Sequence, residues 1–585
     1  MAMEDISRIG YDPRKRYSGV HMQQGRVITD DDWNEHERIT SEDRRQSQLD
    51  IIGSAGSPDD GFRVQFPEVS GGQIDFQIAR GSFYIGGHRT LTSLERYRQQ
   101  TDWLLQEAGS QPAPQSERYD LVYLHAWEQP VTAVEDSELL EVALGGPDTS
   151  TRKRLLHHVK IFENVGTNVC GLAWNVLKDH WAAEGYGTVT DENEVVTDAT
   201  LTVKFSEDSQ QDDLCAPNVA GGYLGAENQA VRVELVNENH FTWGFDNSAP
   251  LYRVSATPNS ADVEMITQPK DQMHWPLSGQ VVEILPRAAI LPNGERLADI
   301  QGHLTKVDEA FDPVTGQLTL TDALPAGFGE EWDSSGDQHF FLRVWNRGTD
   351  TTSDAAISFT PGTIIPLGQT GLLVTFDGSQ FVGGDYWVIA ARPESPNEVV
   401  PWQLTEGRYP HGVHRYAAPL ALIRWAPDAN NVIQGEVIQD CRKKFRPLTE
   451  QDTCCTYSVG DGVQSFGDFN DLANAVSNLP PKGGQICLLP SLHSANLHLL
   501  EKDEITIKGC GKRSKVIPSQ GHRSEPIIRV TDCRNVEISG IDFITHDGAA
   551  LVLEGSEWGK LDTIEIHKCR FLALSNARSE EHTSE

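Results

Sequence analysis

Three short apolar triplets near the end of the chain, Ile505-Thr506-Ile507, Val536-Glu537-Ile538 and Ile564-Glu565-Ile566, recur at intervals of 31 and then 28 residues. Cys510, Ile541 and Cys569 fall in the same register, and Phe543 matches Phe571. Side chains alternate along a strand, so the outer two residues of each triplet face one way and the middle one faces the other. Each triplet is followed by a turn of Gly or small residues and then by another apolar strand. A unit of this kind cannot bury its face alone, whereas stacked neighbours share one continuous core. A coil of this length fits a parallel β-helix over residues 451–577. The string FNDLANAVSNL (469–479) reads as a helix covering the open N-terminal end, where backbone groups would otherwise stay unpaired. Cysteine at the stacked inward positions serves as a small hydrophobe.

The rest of the chain is also organised by alternation. With 585 residues, a prior of about 150 residues per domain allows about four domains. Residues 1–60 form an arm and a polar helix over 30–50, whose first turn carries Asp30, Asp31 and Asp32, suited to capping and to the positive end of a helix dipole. Residues 61–165 read as a β-rich domain, with strands over 62–66, 73–79, 81–85 and 120–127. Residues 166–450 read as a helix-poor, β-rich region of two subdomains. Here TGQLTLTDAL, HFFLRVW and GLLVTFDG alternate as half-buried strands, and Asn293-Gly294 marks a hairpin. The last eight residues, RSEEHTSE (578–585), are the in-frame translation of AGATCGGAAGAGCACACGTCTGAA, the start of a widely used sequencing adapter. The natural sequence is therefore expected to depart from this one after Ala577 and to continue into further coils.

Charge and cysteine content exclude some functions. There are 85 acidic and 49 basic residues, a formal charge of −36, and a field of that sign repels phosphate backbones. A nucleic-acid partner is not expected. No run approaches the roughly 18 apolar residues of a membrane span, so no membrane insertion is expected. The N-terminus lacks an apolar signal-peptide core, which points to cytoplasmic synthesis. Nine cysteines are too few for a disulfide scaffold, and no CxxC pair occurs. The expectation is reduced structural thiols and no cofactor.

Candidate chemistry is sparse. On the coils the outward polar residues are Asp532, Arg534, Asp542, His546, Asp547, Glu557, Asp562 and His567. Glycoside hydrolysis needs two carboxyls, about 5–5.5 Å apart for retention and about 6.5–9.5 Å for inversion. Asp542 and Asp547, with His546 between them, are the candidate catalytic set only if they share one face; a solvated surface is the plainer reading. The residue series of polygalacturonases and pectate lyases are absent. His411 and His414 have the best metal-like spacing, but Pro410 and Gly412 make the segment a turn and no third ligand is marked. Glu135 and Asp136 read as caps, and Asp148 and Asp385 as turn formers bonding their own backbone. Trp127, Trp174, Trp243, Trp345, Trp387 and Trp402 read mainly as core, with a carbohydrate-stacking platform as the other option.

Several strings taken in order carry a family resemblance: YSGVHMQQGRVITDDDWNEH (17–36), YLHAWEQPVTAVEDSELLEVALGGPDTSTR (123–152), YLGAENQAVRVEL (223–235), FTWGFDNS (241–248), GDYWVIAAR (384–392) and PHGVHRYAAPLAL (410–422), then QDCRKKFRPLT and CCTYSVGDG. Together they resemble a bacterial family of unknown function whose N-terminal module is often followed by a right-handed parallel β-helix of the pectate-lyase-like kind. The resemblance covers nearly all of the chain up to Ala577. Such genes often lie near phage-tail-like contractile injection system or baseplate genes. That neighbourhood implies a non-catalytic structural or adhesive part of a particle, with particle or baseplate proteins or a polysaccharide as partners. A homotrimer suits such a shaft. The alternatives are a polysaccharide lyase or glycoside hydrolase acting through the β-helix face, and a carbohydrate-binding module.

Overall fold

The computed structural model describes residues 5–102, 111–207, 221–328, 339–445, 455–480, 482–556 and 561–573, and the chain is mainly β. It divides into two units, Met1–Phe445 and Arg446–Glu585. Most of the sheets are antiparallel and one closes into a small barrel. Among the described strands, parallel ladders belong to the second unit.

In the first unit, α1 (Asp30–Ile52) matches the expected helix, but its cap is Thr29. The Thr29 hydroxyl accepts from the Asp32 amide, and the Asp32 carboxylate accepts from the Thr29 amide at 3.1 Å, a reciprocal capping box. The organising sheet is built from β1 (Arg118–Val131), β2 (Arg152–Phe162) and β3 (Arg415–Pro427), with β1 in the middle of the three. Residues 121–127 (LVYLHAW) and 417–423 (AAPLALI) are near-continuous apolar runs because both faces of the sheet are covered. One face packs on Phe62, Phe76 and Tyr97, and the other on Ala173, Leu177 and Trp181 of α2 (Cys170–Ala183). The sheet thus joins strands from either side of the boundary expected at 165.

The barrel consists of Leu251–Ala256, Asp262–Met265, Gln317–Leu320, His303–Asp312, Val281–Leu285 and His339–Trp345 in spatial order. The alternation read in HFFLRVW and TGQLTLTDAL places two of these strands. The hairpin expected at Asn293-Gly294 is present, pairing Arg287–Ile290 with Arg296–Ala298. A buried ionic chain crosses from this region: Arg343, fully inaccessible, meets Glu283 at 2.5 Å and Glu234 at 3.5 Å, and Glu234 meets Arg232 at 2.8 Å.

The second unit holds three parallel ladders. One runs Tyr457–Val459, Gly484–Leu488, Asp503–Gly509, Arg534–Ser539 and Asp562–His567; the second runs Ser491–Ser494, Ser514–Ile517, Asp542–Thr545 and Arg570–Ala573; the third runs Leu497–Leu500, Ile528–Thr531 and Leu551–Glu554. The sequence repeat is the pairing register: Ile505 faces Val536 and Val536 faces Ile564, Ile507 faces Ile538 and Ile538 faces Ile566. Phe543 stacks on Phe571 with ring centroids 5.4 Å apart. A residue of positive φ repeats with the triplets, as the second residue of each strand: Glu504 (56°), Asn535 (52°) and Thr563 (51°). The expected helix is shorter than its string, α3 (Leu472–Ser477), capped by Asp471 and packed by Leu472, Ala475 and Val476 into the core of the stack.

Two expectations about cysteine are corrected. Cys170–Cys441 and Cys455–Cys487 are disulfides, with Cα separations of 5.6 and 5.5 Å, the usual range for such a bond. Spacing along the chain hid both, because each pairs cysteines that only folding brings together. Cys533 is buried and Cys569 half-buried, but Cys510 is exposed rather than inward. Cys454, Glu557 and residues 578–585 lie outside the described residues.

Candidate functional site

The outward residues of the coils are engaged mostly with one another. Asp542 is not on the outer surface: it is 3% exposed, and its register neighbours are Lys515 on one side and Arg570 on the other. The Arg570 guanidinium donates to the Asp542 carboxylate. Asp547 is exposed and pairs with His546 at 2.9 Å. The candidate set is thus split between a buried carboxylate paired with a half-exposed arginine and a surface pair. Asp532 accepts from the amide and hydroxyl of Ser556 at 2.7 and 2.6 Å. Arg534 stands between Asp503 and Asp562 in the ladder, and His567 meets Glu537 at 3.3 Å. Opposite charges thus stand on successive rungs.

His411 and His414 point to different partners. His411 is half-buried, and its Nδ1 accepts from the Val388 amide at 2.9 Å, while half-exposed His414 meets Glu194 at 3.1 Å. Among the described residues no three His, Cys, Asp or Glu group so as to hold a metal ion. Glu135 is fully buried and accepts from Thr132 and Ala298, and Asp136 caps the short helix Ser137–Leu139. Asp148 meets Lys270 at 3.5 Å. The turn reading of Asp385 is corrected: its carboxylate is 2% exposed and accepts from Arg415 and Thr197, side chains far away in sequence.

A cleft of about 500 Å³ lies in the first unit, on the α2 face of the organising sheet. Alternation places Leu121, Tyr123, His125 and Trp127 of β1 on this face, and the register sets His158 of β2 and Ala417 of β3 beside His125. Helix α2 covers the half around Leu121 and Tyr123. Past its end, the half around His125 and Trp127 is left as a floor. His158 stands edge-on to Trp127, centroids 4.5 Å apart. Tyr186, three residues beyond α2, bonds His125 Nε2 at 3.2 Å. The remaining walls are the end of α2 with Glu184, the hairpin tip with Asn237 and Glu238, and the segment Asp299, Ile300 and Gln301.

Electrostatics in the cleft follow from burial. His125 and His158 are driven well below the usual histidine value of 6.5, first by loss of water and then by Lys160 nearby, so both rings are neutral at pH 7. Burial pushes Asp102 up to about 6 despite its 2.6 Å contact with Arg154. Arg415 donates to Asp385 and, at 2.8 Å, to the Gly383 carbonyl. His125 Nδ1 is buried with no hydrogen-bond partner, a state that costs about 1–3 kcal/mol. The arrangement offers an aromatic floor with a rim of acceptors. Sequence reading marked Trp127 but missed His125, His158, Lys160, Tyr186 and Glu238. The usable signal was LLHHVKIF, where two imidazoles and a lysine interrupt an otherwise buried strand.

These features define a mainly β protein whose first unit carries a polar cleft on a covered sheet. Residues 2–178 match the model of a family of unknown function, DUF6519. That segment contains α1, β1, β2 and part of α2. No curated protein and no solved structure matches the chain. Among the described residues no helix is long and apolar enough to cross a membrane.

Proposed function

We propose that the chain is a non-catalytic structural and binding component of a larger assembly, a tail-fibre- or baseplate-associated part of a phage-tail-like particle. In this reading the second unit is a right-handed parallel β-helix of the pectate-lyase-like kind, serving as shaft or receptor-binding surface, and the first unit is the attachment module. The observation that supports it most is the rung-to-rung register of the second unit. Apolar triplets stack inward and Lys515, Asp542 and Arg570 alternate in charge along one ladder. A stack of this kind gains rigidity from every added coil and spends its charged groups on its own cohesion. Synthesis in the cytoplasm, assembly into a released particle and a homotrimeric shaft belong to the same reading.

The test is co-sedimentation of the tagged full chain with sheathed particles from its source, together with incubation on a glycan panel. Recovery with the particles and no new chain ends supports the proposal. A chain that stays soluble while releasing reducing or unsaturated ends would instead make it a glycoside hydrolase or polysaccharide lyase.

A further inference from the structure

We propose that the outer face of the second unit at residues 508–515 binds a strand of acidic polysaccharide. This names the ligand class of the receptor-binding surface proposed above and rests on that reading.

The segment 508–515 reads KGCGKRSK, four cations in eight residues of a chain whose formal charge is −36. It runs from the end of Asp503–Gly509 through a short turn into Ser514–Ile517. Lys508, Lys512, Arg513 and Lys515 are all exposed, and none has an ion-pair partner among the described residues. The neighbouring strands leave them so. On one side, residues 484–494 read GQICLLPSLHS and hold no acid. On the other, Lys508 faces Ser539, and Lys515 faces Asp542, whose carboxylate accepts from Arg570 on its far side.

The turn also stacks on the two that follow it. The Gly511 amide donates to the Gly540 carbonyl at 2.7 Å, and the Gly540 amide to the His567 carbonyl at 3.3 Å. Lys568, exposed and without an ion-pair partner among the described residues, therefore joins the same column. Neighbouring strands lie about 4.8 Å apart, so the two cationic turns stand about 10 Å apart. Only Ser539 and Gly540 lie between them, and the Ser539 hydroxyl has no hydrogen-bond partner among the described residues.

Unpaired cations on an acidic chain focus a local positive potential, so the ligand is an anion. Their spread over two turns suits a polymer with spaced charges rather than a single small ion. Three kinds of polymer carry such charge, and the side chains choose among them. Residues 508–515, 539 and 540 include no aromatic and no large aliphatic side chain. Single-stranded nucleic acid relies on aromatic stacking and a protein interface on an apolar core, and this face supplies neither. The Gly511 and Gly540 amides that an added peptide strand would use are already spent between the turns. A glycan bearing carboxylates or sulfate esters asks for separated cations and hydroxyl contacts, which lysine, arginine and serine give.

The experiment uses the full chain with octagalacturonate for carboxylates, dextran sulfate for sulfate esters and maltooctaose as the neutral glycan. Oligo(dT) and polyglutamate stand for the other two polymers. Affinity is read by titration calorimetry at about 50 and about 200 mM salt. The alkylation rate of exposed Cys510, located by peptide mapping, reports occupancy of the face. At least one acidic glycan should bind about tenfold or more tightly than maltooctaose, weaken as salt rises and slow the alkylation of Cys510. Which of the two binds separates carboxylate from sulfate ester. Lys512→Gln/Arg513→Gln should weaken that binding about tenfold. Arg89→Gln/Lys204→Gln, which removes two exposed cations of the first unit, should leave it unchanged. The proposal falls if neither acidic glycan binds, or if maltooctaose, oligo(dT) or polyglutamate binds as tightly. It falls too if the first-unit variant weakens binding as much as the variant at 512 and 513, or if Cys510 alkylates at its free rate with glycan bound. Co-sedimentation with particles is scored separately: its loss alone removes the particle role, and loss of glycan binding alone removes this ligand.

Discussion

His125, His157 and His158 are buried and His411 is half-buried, and loss of water holds each below 6.5. The unfolded chain therefore takes up protons first as the pH drops, and the stability these groups allow is present above about 6.5 and lost below it. Asp102 works in the opposite sense: its folded value is about 6 against 3.8, so the cost of its charge is relieved as the pH falls through 6. Burial also raises Asp5, Asp120, Glu135 and Asp385 and holds His88 and His303 down, so six imidazoles stand against five carboxyls. The thermal midpoint of the first unit should drop by about 5 °C or more between about pH 7.5 and 5, as followed by circular dichroism. A midpoint that rises over that range would contradict this balance. A second expectation concerns Arg343. Arg343→Met strands Glu283, while Glu234 keeps Arg232, and should cost about 3–5 kcal/mol in urea unfolding, part of it recovered by adding Glu283→Gln. Few of these residues were legible in the sequence. Glu135 and Asp136 could be read as caps because their partners include near neighbours. Asp385 could not be read, because its partner Arg415 lies 30 residues away and meets it only in the folded unit.

The parallel ladders were the most legible elements, because in a parallel ladder the sequence period is the pairing register, and Ile505, Val536 and Ile564 need no tertiary knowledge to align. Helix α2 and its place over β1 could not be anticipated in the same way: its contacts with Leu121 and Leu422 depend on strands far apart in the chain. Within the stack, Ile538 is inaccessible, and Ile538→Ala should lower the stability of the second unit by about 2–5 kcal/mol. The positions of positive φ predict the opposite sign. Thr563 is a β-branched residue held at a φ of 51°, where such side chains rarely sit, so Thr563→Gly should raise stability by about 1 kcal/mol. Urea midpoints of the two variants, read on the second transition, check both. Equal midpoints would mean that this outer coil is not part of the cooperative stack.

At the scale of the molecule, two units with separate cores should unfold in two transitions, and among the described residues each contains one disulfide: Cys170–Cys441 in the first and Cys455–Cys487 in the second. Reductant should move both midpoints down by about 2–4 kcal/mol equivalent, and thiol titration of the denatured chain should find at least the four sulfurs of these two bonds added after reduction. Unchanged thiol counts would restore the reduced state expected from composition. The position of β3 has a consequence for biogenesis. It closes against β1, yet it leaves the ribosome 284 residues after β1 ends. At about 5–20 residues per second, the β1 edge waits for on the order of tens of seconds, presenting unpaired amides and carbonyls to solvent. A nascent chain stalled before residue 415 should be bound by holdase chaperones and cut readily by protease, and one stalled with 445 clear of the exit tunnel should resist. The segment that matches the family model, residues 2–178, would by the same logic be a chaperone client when made alone, since the strand that completes its sheet lies outside it.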